Sequence, residues 1–176
     1  MPSFGNSSAD GVTFNNTYYW VINGHSDATF TLGYQGKRGF NPGIEYRYTP
    51  NAVTSGSIIA SYIDDKVTRS TFWKVDAVHK QEFPNEFKFD GILDLESGFG
   101  REFSDDSNER TRRNTDSHAT LTKTWDNNST LDILTRYRDS SEDSSDQTFA
   151  ELPRITYKVP NNALGDSNFY INLDTN

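Results

Sequence analysis

Few residues of this chain have types and spacing that could support chemistry. There are three histidines, His25, His79 and His118, and no cysteine. The histidines are scattered, and no spacing among them resembles a zinc site. Without cysteine, neither a disulfide nor a thiolate site can form. Asp116-Ser117-His118 places the residue types of a hydrolytic triad in a row. Neighbouring positions of a strand point to opposite faces, however, so Ser117 and His118 would not meet. The run DSSEDSSD that begins at Asp139 is superficially like a calcium loop. It lacks the central glycine and the terminal glutamate at the required spacing, and reads as a solvated loop. No catalytic residue, metal site or cofactor is expected. The remaining candidates are Arg110, Arg112 and Arg113, because guanidinium meets phosphate bidentately. Pairing with Asp105, Asp106 or the second acidic loop competes for the same charges.

The elements that must position such groups are strands. In Gly11–Tyr48 apolar and polar residues alternate almost without error. Val12, Phe14, Tyr18, Trp20 and Ile22 share one parity, and Thr13, Asn15, Thr17 and Tyr19 the other. After Gly24–Asp27 the alternation resumes with Ala28, Phe30, Leu32 and Tyr34. After Lys37–Pro42 it resumes again with Ile44, Tyr46 and Tyr48 against Glu45 and Arg47. A period of two is the signature of strands with one apolar and one polar face. The rest of the chain follows suit. A short strand at Pro2–Ser7 turns at Ser8–Gly11, where Asp-Gly is a strong hairpin signal. Thr49-Pro50-Asn51 is expected to break the chain. Further strands are expected at Gly56–Ile63, Thr71–Lys80, Phe87–Leu95, Ala119–Trp125, Leu131–Arg138, Phe149–Val159 and Phe169–Leu173. Pro153 implies a bulge within its strand. Polar loops are expected from Asp64, over Ser97–Ser117 and over Asp139–Gln147, with turns at Phe83–Asn85, Asp126–Asn128 and Pro160–Ser167. The fold class is therefore all-β, an antiparallel up-and-down meander of about eleven strands and a single β-barrel region over 1–176.

Bulk properties fit a sheet that buries only one face. Hydrophobic residues make up 33% and mean hydropathy is −0.78, yet aromatics reach 14%. The net charge of −8 argues against nucleic acid, whose phosphates need a basic surface. No apolar run is long enough for a transmembrane helix. Met1-Pro2-Ser3 leads straight into strand-like sequence, so no signal peptide is read here, and the expectation is either a cytosolic protein or a missing leader and upstream domains. Compact connections follow Ile22, Lys80 and Trp125, and extended ones follow Ile63, Leu95 and Arg138. Such alternation places the long loops at one end, as in outer-membrane barrels. Aromatics near strand ends (Tyr18, Trp20, Tyr46, Tyr48, Tyr62, Trp73, Trp125, Tyr137 and Tyr157) fit interfacial girdles. Glu45, Arg47, Lys74, Asp76, Lys88, Asp90, Asp94, Asp132 and Arg136 share the polar parity and are the lumen-facing candidates. They could equally form a charge network that only holds strands in register. A soluble or small membrane β-barrel that binds a ligand or partner remains the alternative reading.

A series of short motifs now carries a resemblance. Pro2-Ser3-Phe4-Gly5, Ser7-Ser8, Asp10-Gly11, Tyr18-Tyr19-Trp20, Asp27-Ala28-Thr29, Arg38-Gly39 and Glu45-Tyr46-Arg47-Tyr48 resemble, in order and spacing, the start of the barrel of the LptD family. Leu152-Pro153 resembles a later pattern of the same family. The resemblance covers about the first 50 residues closely. It implies that the chain is the N-terminal part of a very large outer-membrane barrel. Such a barrel receives lipopolysaccharide from a periplasmic bridge and releases it into the outer leaflet through a lateral gap between its first and last strands. Pro2, Ser3, Phe4 and Gly5 would then flank that gate. Implied partners are lipopolysaccharide, outer-membrane lipid, a plug lipoprotein and the periplasmic bridge proteins, and the implied location is the bacterial outer membrane. The family's jelly-roll domain and its cysteines have no counterpart here. The proline expected in the second gate strand is replaced by Thr17, which leaves that strand with the ladder donor that proline would remove.

Overall fold

The computed structural model describes residues 2–8, 10–97, 114–140, 147–163 and 170–175. Eleven strands form one sheet in chain order: β1 (Ser3–Ser7), β2 (Gly11–Asn23), β3 (Ser26–Gln35), β4 (Gly39–Asn51), β5 (Thr54–Asp65), β6 (Ser70–Phe83), β7 (Phe87–Glu96), β8 (Asn114–Thr124), β9 (Thr130–Ser140), β10 (Gln147–Ala163) and β11 (Tyr170–Thr175). Every neighbouring pair is antiparallel. The expected meander is therefore present. β1 pairs with β2 and β11 with β10, and these outer strands do not pair with each other, so the sheet is open.

Antiparallel succession puts the junctions of β2–β3, β4–β5, β6–β7, β8–β9 and β10–β11 at one end, called the short-turn end for its first four. The junctions of β1–β2, β3–β4, β5–β6, β7–β8 and β9–β10 lie at the other, the long-loop end, where the longest stretch between consecutive strands, 97–113, is inserted. Some strands run further than their sequence indicated. Phe40 and Pro42 already belong to β4, opposite Tyr34 and Leu32. Thr49–Asn51 continues β4 rather than breaking the chain, and the loop after Asp64-Asp65 shrinks to 66–69. β8 starts at Asn114, so Ser117 and His118 are ladder residues rather than loop. β10 runs on through Pro160.

Proline, lacking an N–H, accounts for several of these irregularities. The ladder slips between Tyr48 and Asn51 around Pro50, between Glu151 and Arg154 around Pro153, and between Val159 and Asn162 around Pro160. Pro42 lies just outside the β4–β5 ladder, which starts at the Gly43–Ser61 pair. The bulge expected at Pro153 is thus present, and the chain absorbs the other prolines in the same way without ending its strands.

The register sorts charge by face. Reading across the ladders, Phe30 pairs with Ile44, Ile44 with Ala60, Ala60 with Val75 and Val75 with Leu95. Farther along, Gly91 pairs with Ala119, and Leu121 with Ile133, which pairs with Ile155. On this apolar face the strands carry charge only near their ends, at Asp64, Lys123 and Asp139. Between Trp73 and Gln81 of β6 it carries none, a band about 26 Å long at roughly 3.3 Å per residue. Tyr34, Tyr62, Trp73 and Tyr137 lie on this face toward the long-loop end. Trp20, Tyr46, Tyr48, Trp125 and Tyr157 lie toward the short-turn end. Among the described residues no second layer covers the face: Ala28 and Ile63 are the buried hydrophobic residues, while Phe30, Leu32, Ile44, Ile58 and Leu93 stay exposed.

Candidate functional site

The opposite face collects the polar groups. The ladders place Glu45, Arg47, Lys74, Asp76, Lys88, Asp90, Asp94, Asp132 and Arg136 together on it, because Glu45 pairs across to Ile59, Ile59 to Asp76, and Asp76 to Asp94. Lys88 pairs to Thr122 and Thr122 to Asp132, while Arg136 sits opposite His118. Most of these side chains are paired in charge. Arg47 meets Asp27 at 2.9 Å and Glu45 at 3.9 Å, and Lys74 meets Asp76 at 3.2 Å. Lys88 meets Glu82 at 2.9 Å and Lys80 meets Asp90 at 3.9 Å. Thr122 Oγ1 donates to Asp132 Oδ1 at 2.7 Å. The face is a mosaic of both signs rather than a field of one sign.

Its densest part is around Asp116, which receives Arg136 at 3.3 Å and Arg138 at 3.0 Å, with His118 Nδ1 at 3.7 Å. Asp116 and His118 share a face, as their spacing of two requires. Ser117 does not join them. Its hydroxyl accepts from the Asp94 N–H at 2.9 Å and donates to the Asp94 carbonyl at 3.1 Å. That hydroxyl bridges β8 to β7 where their backbone ladder ends, and no triad is assembled. At the long-loop rim, Arg38 ties Asp10 (3.1 Å) to the fully buried Asp65 (3.1 Å). Asp65 also caps the turn, accepting from the Val67 N–H and the Thr68 hydroxyl. Sequence reasoning passed over this knot because its members lie on three different hairpins.

The other sequence candidates are placed as follows. Pro2 precedes β1, and Ser3, Phe4 and Gly5 are exposed in it, opposite Asn15, Phe14 and Thr13. Phe4 packs on Phe14 with ring centroids 5.0 Å apart. Arg110, Arg112 and Arg113 lie outside the described residues, as do the loop residues 141–146. Among the described residues no group of His, Asp and Glu has the arrangement of a metal site.

One polar chain sits on the apolar face. The Tyr48 hydroxyl is 2.6 Å from His79 Nδ1, and His79 Nε2 is 3.2 Å from Gln81 Oε1. An imidazole protonated at Nε2 satisfies both bonds. The Tyr48 ring reaches His79 by lying across Gly56, and a Cβ there would overlap it. The signal in the sequence was Gly56 itself, at the apolar parity of a strand.

The face-sorted sheet agrees with the comparisons. A family model described as LptD protein matches residues 1–165. The chain belongs to the LptD family. Among individual relatives, the LPS-assembly protein LptD of Mannheimia succiniciproducens is 40% identical over 65 residues, covering 37% of this chain and 8% of that protein. LptD of Azoarcus sp. is 28% identical over 110 residues, 62% of this chain and 13% of the relative. LptD of Aliivibrio fischeri is 32% identical over 93 residues, 51% and 12% respectively. The matched stretches thus span about an eighth or less of these LptD relatives.

Proposed function

We propose that this chain is a run of strands from an outer-membrane barrel that inserts lipopolysaccharide into the outer leaflet. The observation that carries the reading is the two-faced, uncovered sheet of an LptD family member. A charge-free band with aromatics near both strand ends matches the lipid-facing surface of such barrels, and the charge mosaic matches a hydrated lumen. Glu45, Arg47, Lys74, Asp76, Lys88, Asp90, Asp94, Asp132 and Arg136 then line the path of saccharide. Paired charges of both signs suit that role: they offer hydrogen bonds to sugar hydroxyls without trapping an anion at one site. The outer strand, β1, is one side of the lateral opening, flanked by Pro2, Ser3, Phe4 and Gly5. It is five residues long against thirteen in β2, which leaves much of one β2 edge without a partner among the described residues. Arg110, Arg112 and Arg113 in this reading meet lipid A or core phosphates. A plug lipoprotein and periplasmic bridge proteins are the expected partners.

The orientation of the faces is tested by charge placement. Arginine at Phe89 or Leu93, near mid-membrane, should cost about 2–4 kcal/mol of folding stability in bilayers, and Asp90→Asn far less. Equal tolerance on both faces would remove the membrane assignment.

A further inference from the structure

On the apolar face, β6 to β10 form a trough of 560 Å³ centred on the adjacent small residues Gly91 and Ala119, with Ala77, Leu93, Phe89 and Tyr137 also lining it. No side chain of the described residues fills it. Toward the short-turn end, the rows beyond Gly91–Ala119 are Phe89–Leu121 and then Phe87–Lys123. Lys123 is the one strand cation on this face among the described residues. It lies about 13 Å from Ala119 along the strand, at roughly 3.3 Å per residue. Its ammonium donates to the Asn85 carbonyl at 2.8 Å and stands 4.4 Å from the Phe87 ring centre and 5.3 Å from that of Trp125. It has no carboxylate partner among the described residues, and an ammonium has three donors, so two remain for an anion.

We propose that this trough is a binding site for one anionic glycerophospholipid of the leaflet at the short-turn end. One acyl chain lies over Gly91 and Ala119, and the phosphate sits at Lys123 beside Trp125. A cation placed in an aromatic girdle, two rows along the ladder from the apolar trough, matches the two ends of such a lipid. The rest of the apolar face offers aromatics without a cation. The site rests on the reading that this face meets lipid.

The test uses the whole protein reconstituted in phosphatidylcholine vesicles doped with phosphatidylglycerol carrying a photoreactive acyl chain. Crosslinked positions are mapped by mass spectrometry. Crosslinking to β7–β8 should saturate at low mole fraction and be competed by unlabelled phosphatidylglycerol but not by phosphatidylcholine. The band around Phe30 and Ile44 should instead crosslink in proportion to mole fraction. Lys123→Gln should raise the competing concentration roughly fivefold, the expected contribution of one basic residue at a membrane surface. Ala119→Leu should fill the trough and abolish the excess, and Ala77→Leu provides a second variant should the first not fold. The proposal is overturned if β7–β8 labels like the Phe30 band, which means annular lipid only, or if both headgroups compete equally in every variant. It is also overturned if labelling is blocked while the particle mass doubles, which means a second copy covers the trough. Labelling of neither band would refute the membrane reading itself.

Discussion

Gly56 acts through what it lacks. Its bare backbone lets the Tyr48 ring cross β5 and bond to His79, so a polar contact ties three strands on a largely apolar face. Gly56→Ala forces the ring away and should cost about 1–3 kcal/mol, the usual penalty of overpacking. Tyr48→Phe keeps the packing and should cost about 1 kcal/mol, one hydrogen bond. Denaturant midpoints of the folded protein in lipid read both, and a harmless Gly56→Ala would show that the ring is not held there. On the rim, Asp65 unites Arg38 of one hairpin with the turn of another. Asp65→Ala should lose about 1–3 kcal/mol by leaving buried donors unmatched. If Asp10→Ala proves the more damaging, the knot is centred on the exposed partner instead.

At the scale of elements, turns decide how far the strands extend. The turn between β6 and β7 holds Asn85 at φ 62° and Glu86 at φ 63°, two consecutive left-handed residues as in a type I′ hairpin. Asparagine tolerates that conformation, but glutamate gains nothing from it. Glu86→Gly should therefore stabilise the hairpin, by about 0.5–1 kcal/mol after the added freedom of the unfolded chain is counted. A raised midpoint with an unchanged denaturant slope is the expected result, and a lowered one would mean that the Glu86 side chain holds a contact worth more than its strain. The prolines show the opposite economy. Each one in a strand falls at a ladder slip or just outside a ladder, so the missing donor costs little.

For the molecule as a whole, the open edges dominate. β1 is short, exposed along its length and bonded on one side only, whereas β2 and β3 share a long ladder. Amide exchange should accordingly be fastest in Pro2–Ser8 and slow in Phe14–Tyr34. Uniform protection across both would argue against an opening strand. In the whole protein a cysteine at Ser3 should crosslink to a late strand and, when locked, stop lipopolysaccharide export. Export that continues through the locked pair would remove β1 from the gate.

The sequence by itself determined the strand count, the direction of each hairpin and the two faces. A period of two leaves no freedom: once Phe87, Phe89, Leu93 and Leu95 share a side, Lys88, Asp90 and Asp94 must take the other. It also determined that Ser117 and His118 would part, for the same reason. Strand ends were less legible, since Thr49–Asn51 and Asn114–Ser117 carry turn-like residues yet are held in ladders by their neighbours. The tertiary structure alone decided which charges meet. Arg38 finds Asp10 and Asp65, Arg136 and Arg138 converge on Asp116, and Tyr48 finds His79, each across strands whose separation in sequence carries no pairing signal. It alone showed that Gly91 and Ala119 sit side by side, with Ala77 opposite Leu93 and Ala150 opposite Tyr137 beside them, so that residues distant in sequence line one trough.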